Sequence, residues 1–349
     1  MEVPKISILI PTYNRKHYIS DAIDSVLNQT FQDFEIVVRD DGSTDNTLEF
    51  LQQRYPKEIS SGKLRLKSNP KNLGEAPTVA KLFLDSLGKY FAVLHSDDMY
   101  LPHALQYFWE TAETYNADVV HTIRFLTSPP GGVIKEGTPL QIMFAETRPV
   151  DKITLMPDDQ FSRFEEWVYS AGAFGDCQYN LFRREFVLEH KVLIETSGDC
   201  LWWLLLAKVY VKTPVIYYIH RDAPDSLTNG NSDSNKVLYS LESLERFLNR
   251  LFWSGEILDK YAADFEIFRE HPEFEYFVKA KLFNALTRNW IRERNFYRNG
   301  KVPPEVRQTV EKVFKKHLGE NSSYAIFLFH LVNLMPYVRG VERAFIPLP

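Results

Sequence analysis

The chain has 349 residues, 44% hydrophobic and 25% charged, with a formal net charge of −5. That length allows a large core and either two domains or one domain with an appendage. The acidic balance argues against nucleic acid as a partner, because phosphate binding needs a basic surface. Only Cys177 and Cys200 occur as cysteines, which excludes a disulfide scaffold and a Cys-rich zinc site and fits a reducing compartment.

The N-terminus runs directly into Lys5-Ile6-Ser7-Ile8-Leu9-Ile10, with no apolar signal region. No apolar run has the length to span a bilayer, so a cytoplasmic location is expected. The nearest approach, Tyr324 to Met335, contains His330 and Asn333 and stops at Pro336. It reads as a core helix, while Arg339, Arg343, Phe345 and Ile346 leave room for peripheral contact with the inner face of a membrane.

In chain order, Ile6–Ile10, Phe34–Val38, Leu64–Leu66, Tyr90–Leu94 and Val119–Phe125 read as strands. Helices are expected between them at Tyr18–Asn28, Asp45–Tyr55, Val79–Leu87 and Pro102–Tyr115. In the first helix, Ile19, Ile23, Val26 and Leu27 share one face, and Pro102 suits a first helical turn. Alternating strands and helices imply βαβ units and a largely parallel sheet. Such sheets bind ligands at the carboxyl ends of their strands.

Thr127 to Pro139, with Pro129-Pro130-Gly131-Gly132, reads as a loop or mobile lid. Beyond a mixed stretch, a helix from Asp199 through Val209 and a strand at Val211–Ile219 are expected. From Asn235 the chain turns helical, aromatic and charged.

Three strand-end loops are polar together: Pro11-Thr12-Tyr13-Asn14, Asp40-Asp41-Gly42-Ser43-Thr44-Asp45 and His95-Ser96-Asp97-Asp98. Singly each has an ordinary explanation. Asp45 suits a helix N-cap, Asp-Gly-Ser is turn chemistry, and His95 suits a packing residue at a strand end. Jointly, at one edge of a parallel sheet, they point to a binding site.

These loops, with Ser25-Val26-Leu27-Asn28-Gln29-Thr30 and Asn72-Leu73-Gly74, resemble the opening of the family 2 inverting glycosyltransferases of the non-processive bacterial type. The resemblance covers roughly residues 4 to 125, weakens through the middle and is absent from the C-terminal third. It implies a GT-A fold, an α/β Rossmann-like sheet flanked by helices, over residues 1–234. Residues 1–125 would bind nucleotide and 126–234 would face the acceptor, with a helical region at 235–349.

The resemblance also implies roles. Pro11, Thr12, Tyr13 and Asn14 would line the nucleotide site, and Asp41 would accept a hydrogen bond from a base N–H, with Asp40 a turn acid or support. Asp97-Asp98 matches the metal motif, Asp98 as the direct ligand of Mn2+ or Mg2+ and Asp97 on the nucleotide side. Asp199 matches the general base, a role compatible with capping a helix, and Asp176 is its rival or an acceptor-orienting group. In Tyr217-Tyr218-Ile219-His220-Arg221, His220 would be a further metal ligand and Arg221 a phosphate or acceptor contact; Ser226-Leu227-Thr228 completes that segment.

The implied reaction is inverting transfer of one sugar from a nucleotide-diphosphate sugar, with a UDP-sugar as the expected donor. A glycan or lipid-linked glycan hydroxyl is the expected acceptor, as in polysaccharide biosynthesis, and a protein acceptor is the alternative. The C-terminal region, with Trp290, Arg292, Arg294, Phe296, Tyr297 and Arg298, would hold an acceptor, a membrane face, a partner subunit or a homo-oligomer contact. The loop Pro-Thr-Tyr-Asn disfavours a nucleotidyltransferase, and no Gln-x-x-Arg-Trp motif marks a processive synthase. A non-catalytic sugar-nucleotide-binding assembly protein is the non-enzymatic alternative.

Overall fold

The computed structural model describes residues 3–129, 131–135, 137–145, 149–169, 177–223, 241–275, 278 and 304–319. It divides into two compact units, Met1–Ala223 and Pro224–Pro349.

The first unit is built on an eight-stranded sheet of order β3-β2-β1-β4-β10-β6-β11-β9. Its strands are β1 (Ile6–Thr12), β2 (Phe34–Asp40), β3 (Leu64–Ser68), β4 (Tyr90–Val93), β6 (Val119–Thr122), β9 (Thr154–Leu155), β10 (Asn180–Arg183) and β11 (Tyr210–Thr213). β3, β2, β1 and β4 pair in parallel, β10 runs antiparallel between β4 and β6, and β9 is antiparallel to β11. Strands covered on both faces must be apolar nearly throughout, and every residue of β1 except Pro11 is buried.

Helices cover both faces. On one, α1 (Ile19–Leu27) turns Ile19, Ala22, Ile23 and Val26 inward at helical spacing, and α5 (Ala104–Tyr115) adds Leu105 and Phe108 against Ile6, Ile8, Ile10, Ile36 and Val38. On the other, α4 (Glu75–Asp85) stacks Phe83 on Phe91 of β4 at 4.7 Å between ring centroids. Two short helices, α2 (Thr47–Arg54) and α3 (Pro56–Ser60), lie between β2 and β3.

A second sheet of four strands, β5-β12-β7-β8, stands beside the first. It comprises β5 (Met99–Tyr100), β7 (Arg124–Thr127), β8 (Gln141–Phe144) and β12 (Tyr218–His220). Two expected strands are corrected here. The run Val119–Phe125 is two strands, β6 in the large sheet and β7 in the small one, separated at Ile123. The run Val211–Ile219 divides likewise into β11 and β12. Pro214 follows β11 directly and has no N–H to extend the ladder. Thr122 Oγ1 donates to the Val215 carbonyl at 2.6 Å, so the two breaks brace each other.

Helix boundaries also move. α4 begins at Glu75, four residues before the expected start, after Gly74 at φ +89°. α5 begins at Ala104, so Pro102 lies before the helix, and α9 (Cys200–Leu206) ends short of Val209. The unassigned middle supplies β8, β9, α6 (Gln160–Tyr169), β10, α7 (Arg184–Glu189) and α8 (Lys191–Glu195). In the expected loop Thr127–Pro139, Gly132 is seated against the backbone of Ala223, where a Cβ would stand 2.8 Å from the Ala223 Cα.

In the second unit, a helix over Leu241–Tyr261 packs on one over Pro304–Leu318. Phe252 stacks on His317 at 4.5 Å and meets Phe314 edge-on at 5.3 Å. The expected Tyr324–Met335 helix and the residues Trp290 to Arg298 lie outside the described residues. Among the described residues, no helix is long and apolar enough to cross a membrane.

Lys212 of β11 and Glu166 of α6 form an ion pair with both side chains almost wholly buried. Removing one partner of such a pair costs about 3–5 kcal/mol, whereas an apolar pair of similar volume can be neutral. Glu166→Leu should therefore lower the urea midpoint strongly, and Glu166→Leu with Lys212→Met should regain most of it. A double variant as unstable as the single one would mean that the pair's charge is not what matters.

Candidate active site

β2, β1 and β4 are neighbours in the sheet and parallel, so their polar carboxyl-end loops emerge along one edge. Asn14 and Asp41 tie these loops together. Asn14 adopts φ +53°, donates its N–H to Ser43 Oγ at 2.8 Å and accepts from the Thr44 N–H at 2.8 Å. Asp41, 4% exposed, accepts from Asn69 Nδ2 and the Leu73 N–H at 2.9 Å on Oδ1, and from the Gly74 N–H at 2.8 Å on Oδ2. Three of a carboxylate's roughly four acceptor positions are thereby filled. Asp41 thus builds the Asn72-Leu73-Gly74 loop, with one acceptor position left over.

Gly42, at φ +76°, lets this turn approach Lys71 and Asn72 to distances that a Cβ would close to 2.8–2.9 Å. Asp40 accepts from the Ser43 N–H at 3.0 Å and from its hydroxyl, a turn acid as the sequence allows. The helix after it starts with Asn46, at φ +61°, in the N-cap position. The Asp45 carboxylate nevertheless takes the Thr47 N–H at 3.1 Å and the Lys16 N–H at 3.1 Å. Burial alone would raise the Asp45 pKa, but these hydrogen bonds, led by the Thr47 hydroxyl, hold it below the usual value. Tyr13 is 42% exposed and free to stack on a planar group, while Thr12 Oγ1 is buried without a hydrogen-bond partner.

Asp97 and Asp98 follow β4. Asp98 is fully buried. Its Oδ2 accepts from the Tyr218 hydroxyl and its Oδ1 from the Arg221 N–H at 2.7 Å. His220 Nδ1 lies 3.3 Å from Oδ1 and His95 Nδ1 lies 3.7 Å from Oδ2. Asp97 keeps a partly exposed carboxylate 3.7 Å from Arg15 Nε, and its pKa is raised by burial and by the charge of Asp98. For His220, burial works downward, but Asp98 and then Asp97 outweigh it and raise its pKa.

His95, expected as packing, instead bridges inward to Asp98 and outward to Glu75 Oε1 at 3.2 Å. Glu75, at the start of α4, was not singled out by the sequence; its neighbour Asn72-Leu73-Gly74 was the only signal near it. Arg221 is 5% exposed and is committed to protein partners. Its Nε donates to the Asp97 carbonyl at 2.8 Å, one terminal nitrogen to the Gly132 carbonyl at 3.2 Å, and the other to Asp21 Oδ2 at 2.6 Å. The expected phosphate or acceptor contact has little of its guanidinium left to use, so Arg221 acts here as a clamp on the acidic loop.

Asp199 caps α9, accepting from the Leu201 N–H at 3.0 Å. Its loop is tied to the first turn of α4 through Ser197, whose hydroxyl donates to the Ala76 carbonyl. Asp176 and Ser226-Leu227-Thr228 lie outside the described residues.

Among the described residues, no group of three His, Cys, Asp or Glu stands in a ready metal-ligating arrangement. The donor chemistry nevertheless fits a hard divalent cation. Each Asp98 oxygen retains one acceptor position, the Asp97 carboxylate is beside it, and His220 Nδ1 is buried without a well-directed hydrogen bond. Asp97, Asp98 and His220 are the residues that would hold such an ion.

Asp41→Asn tests the loop architecture, because an amide NH2 cannot accept from a backbone N–H. Each lost bond to a charged acceptor is worth about 1.5–3 kcal/mol. Hydrogen exchange at Leu73 and Gly74 should accelerate and the thermal midpoint fall, whereas unchanged exchange at those amides would contradict this assignment.

A model for Glycosyl transferase family 2 matches residues 7–187. An uncharacterized glycosyltransferase of Haemophilus influenzae is 39% identical over 278 residues, covering 71% of this chain and 76% of that protein. Hyaluronan synthase of Pasteurella multocida is 36% identical over 137 residues, or 39% of this chain, and the match spans 14% of that much longer protein. The crystal structure of S. aureus TarS residues 1–349 superposes with a TM-score of 0.59 at 16% identity, covering 98% of this chain and 91% of that one, a likeness of fold. With the acidic loop and its sheet edge in place, this chain belongs to glycosyl transferase family 2 and carries a GT-A fold.

Proposed function

We propose that the chain transfers a single sugar, with inversion, from a UDP-sugar to a hydroxyl of a glycan or lipid-linked glycan, using Mn2+ or Mg2+. The observation that carries this reading is the joining of two nucleotide-type loops and the Asp97-Asp98 pair, with Asp98 fully buried, on one strand edge. The nucleotide assignment gains support from TarS, a protein of like fold crystallised with UDP-GlcNAc and with UDP. The glycan acceptor gains support from partial matches to hyaluronan and chondroitin synthases of Pasteurella multocida. On this reading residues 1–234 form the catalytic domain.

Tyr13 and Pro11 would stack against the base, and the remaining acceptor position of Asp41 would take an imide N–H. Asp97, Asp98 and His220 would hold the cation, which when bound supplies charge neutralisation for the departing diphosphate. Asp199 would take the acceptor hydroxyl proton.

Two variants separate these roles. Asp98→Asn should abolish Mn2+-dependent release of UDP from UDP-sugars, as should chelation of the metal in the unaltered chain. Asp199→Asn keeps a good N-cap and removes only the basic oxygen. It should lower kcat by about 10²–10⁴ with donor binding unchanged. If the purified chain neither binds nor turns over any member of a nucleotide-sugar panel, the enzymatic reading fails and a non-catalytic role takes its place.

A further inference from the structure

Tyr218 is fully buried, and its hydroxyl donates to Asp98 Oδ2. Its ring is held from two sides. Tyr100 of β5, its partner in the β12–β5 ladder, meets it edge-on at 5.8 Å and donates its own hydroxyl to the Val93 carbonyl at 3.2 Å. Tyr179 meets it edge-on at 5.4 Å and is itself stacked on Phe125 of β7 at 4.9 Å. A phenol so confined cannot swing to another acceptor.

We propose that Tyr218 is a positioning residue for the cation: its fixed hydroxyl occupies one acceptor position of Asp98 and thereby sets the direction in which the carboxylate can ligate. The inference rests on the divalent-cation reading above. A carboxylate has about four acceptor positions. With the Tyr218 hydroxyl on Oδ2 and the Arg221 N–H on Oδ1, the remaining position on each oxygen faces a histidine, His220 Nδ1 at 3.3 Å from Oδ1 and His95 Nδ1 at 3.7 Å from Oδ2. Side-chain rotation of Asp98 would break both bonds at once in a site closed to bulk solvent, where a buried carboxylate left short of donors is costly. Partners that orient a ligand in this way typically govern metal affinity 10–100-fold when removed.

Binding of Mn2+ to the full chain, alone and with UDP, can be followed calorimetrically or by the electron spin resonance of free Mn2+. Tyr218→Phe keeps the ring and should weaken Mn2+ binding about 10–100-fold. Tyr100→Phe, which loses a hydroxyl from the same aromatic cluster but not from Asp98, should bind within about twofold of the unaltered chain. UDP binding in chelator should be the same in all three, which a merely unfolded variant would not show.

Should Tyr218→Phe fail to fold, Tyr179→Leu unbraces the ring while leaving the hydroxyl, and it should weaken Mn2+ binding several-fold. Equal affinity of Tyr218→Phe and the unaltered chain, or equal loss in Tyr218→Phe and Tyr100→Phe, overturns the proposal. If the unaltered chain itself takes up no Mn2+ or Mg2+, with or without UDP, the cation reading fails and this one falls with it.

Discussion

A carboxylate withdrawn from water must be met by donors, and Asp98 is withdrawn completely. The donors come from a distant part of the chain, Tyr218 and Arg221. Much of the architecture around the sheet edge serves that meeting. The small sheet exists where β12 must reach β5, directly after the acidic pair. Arg221 then fastens the loop from the other side through the Asp97 carbonyl and Asp21 of α1. The cost of burying one charge is offset by elements more than a hundred residues apart, which makes the acidic loop a product of the whole first unit.

The loops after β1 and β2 follow a different principle. Their side chains are spent mainly on one another, Asn14 on the Ser43-Thr44 turn and Asp41 on Leu73 and Gly74. A loop whose polar groups are already paired is rigid before ligand arrives, so little ordering entropy is lost on binding. Tyr13, by contrast, stays exposed, and Thr12 Oγ1 is buried with no partner. Those two are the groups in that loop with chemistry still to give.

Much of the first half was legible in sequence because strands buried on two faces are apolar runs with sharp polar ends. β1, β2 and β4 and their loops have that form. The second sheet was not legible. β6 and β7 read as one apolar run, as do β11 and β12, because periodicity does not record which sheet a strand joins. Only Pro214 hinted at a break. His95 and Glu75 were missed for a related reason: their pairing depends on α4 starting at Glu75, directly after Gly74, and the helical pattern of α4 becomes visible only from Val79. For Arg221 the family resemblance implies a ligand contact, whereas its guanidinium is engaged by Gly132, Asp21 and Met99, far away in the chain.

The brief passage between β11 and β12 acts as a counter. Tyr217 turns to Phe108, with ring centroids 4.2 Å apart, Tyr218 turns to Asp98, and His220, two residues on, lies again at Asp98. Side chains alternate along a strand, so adding or deleting one residue between Thr213 and Tyr217 would exchange the two faces. Ile219 would then be offered to the carboxylate and a phenol to the core. The length of this connector is therefore under tighter constraint than its composition: substitutions among Pro214, Val215 and Ile216 alter packing by degrees, but a change of one in their number would disarm the site while leaving the large sheet able to form.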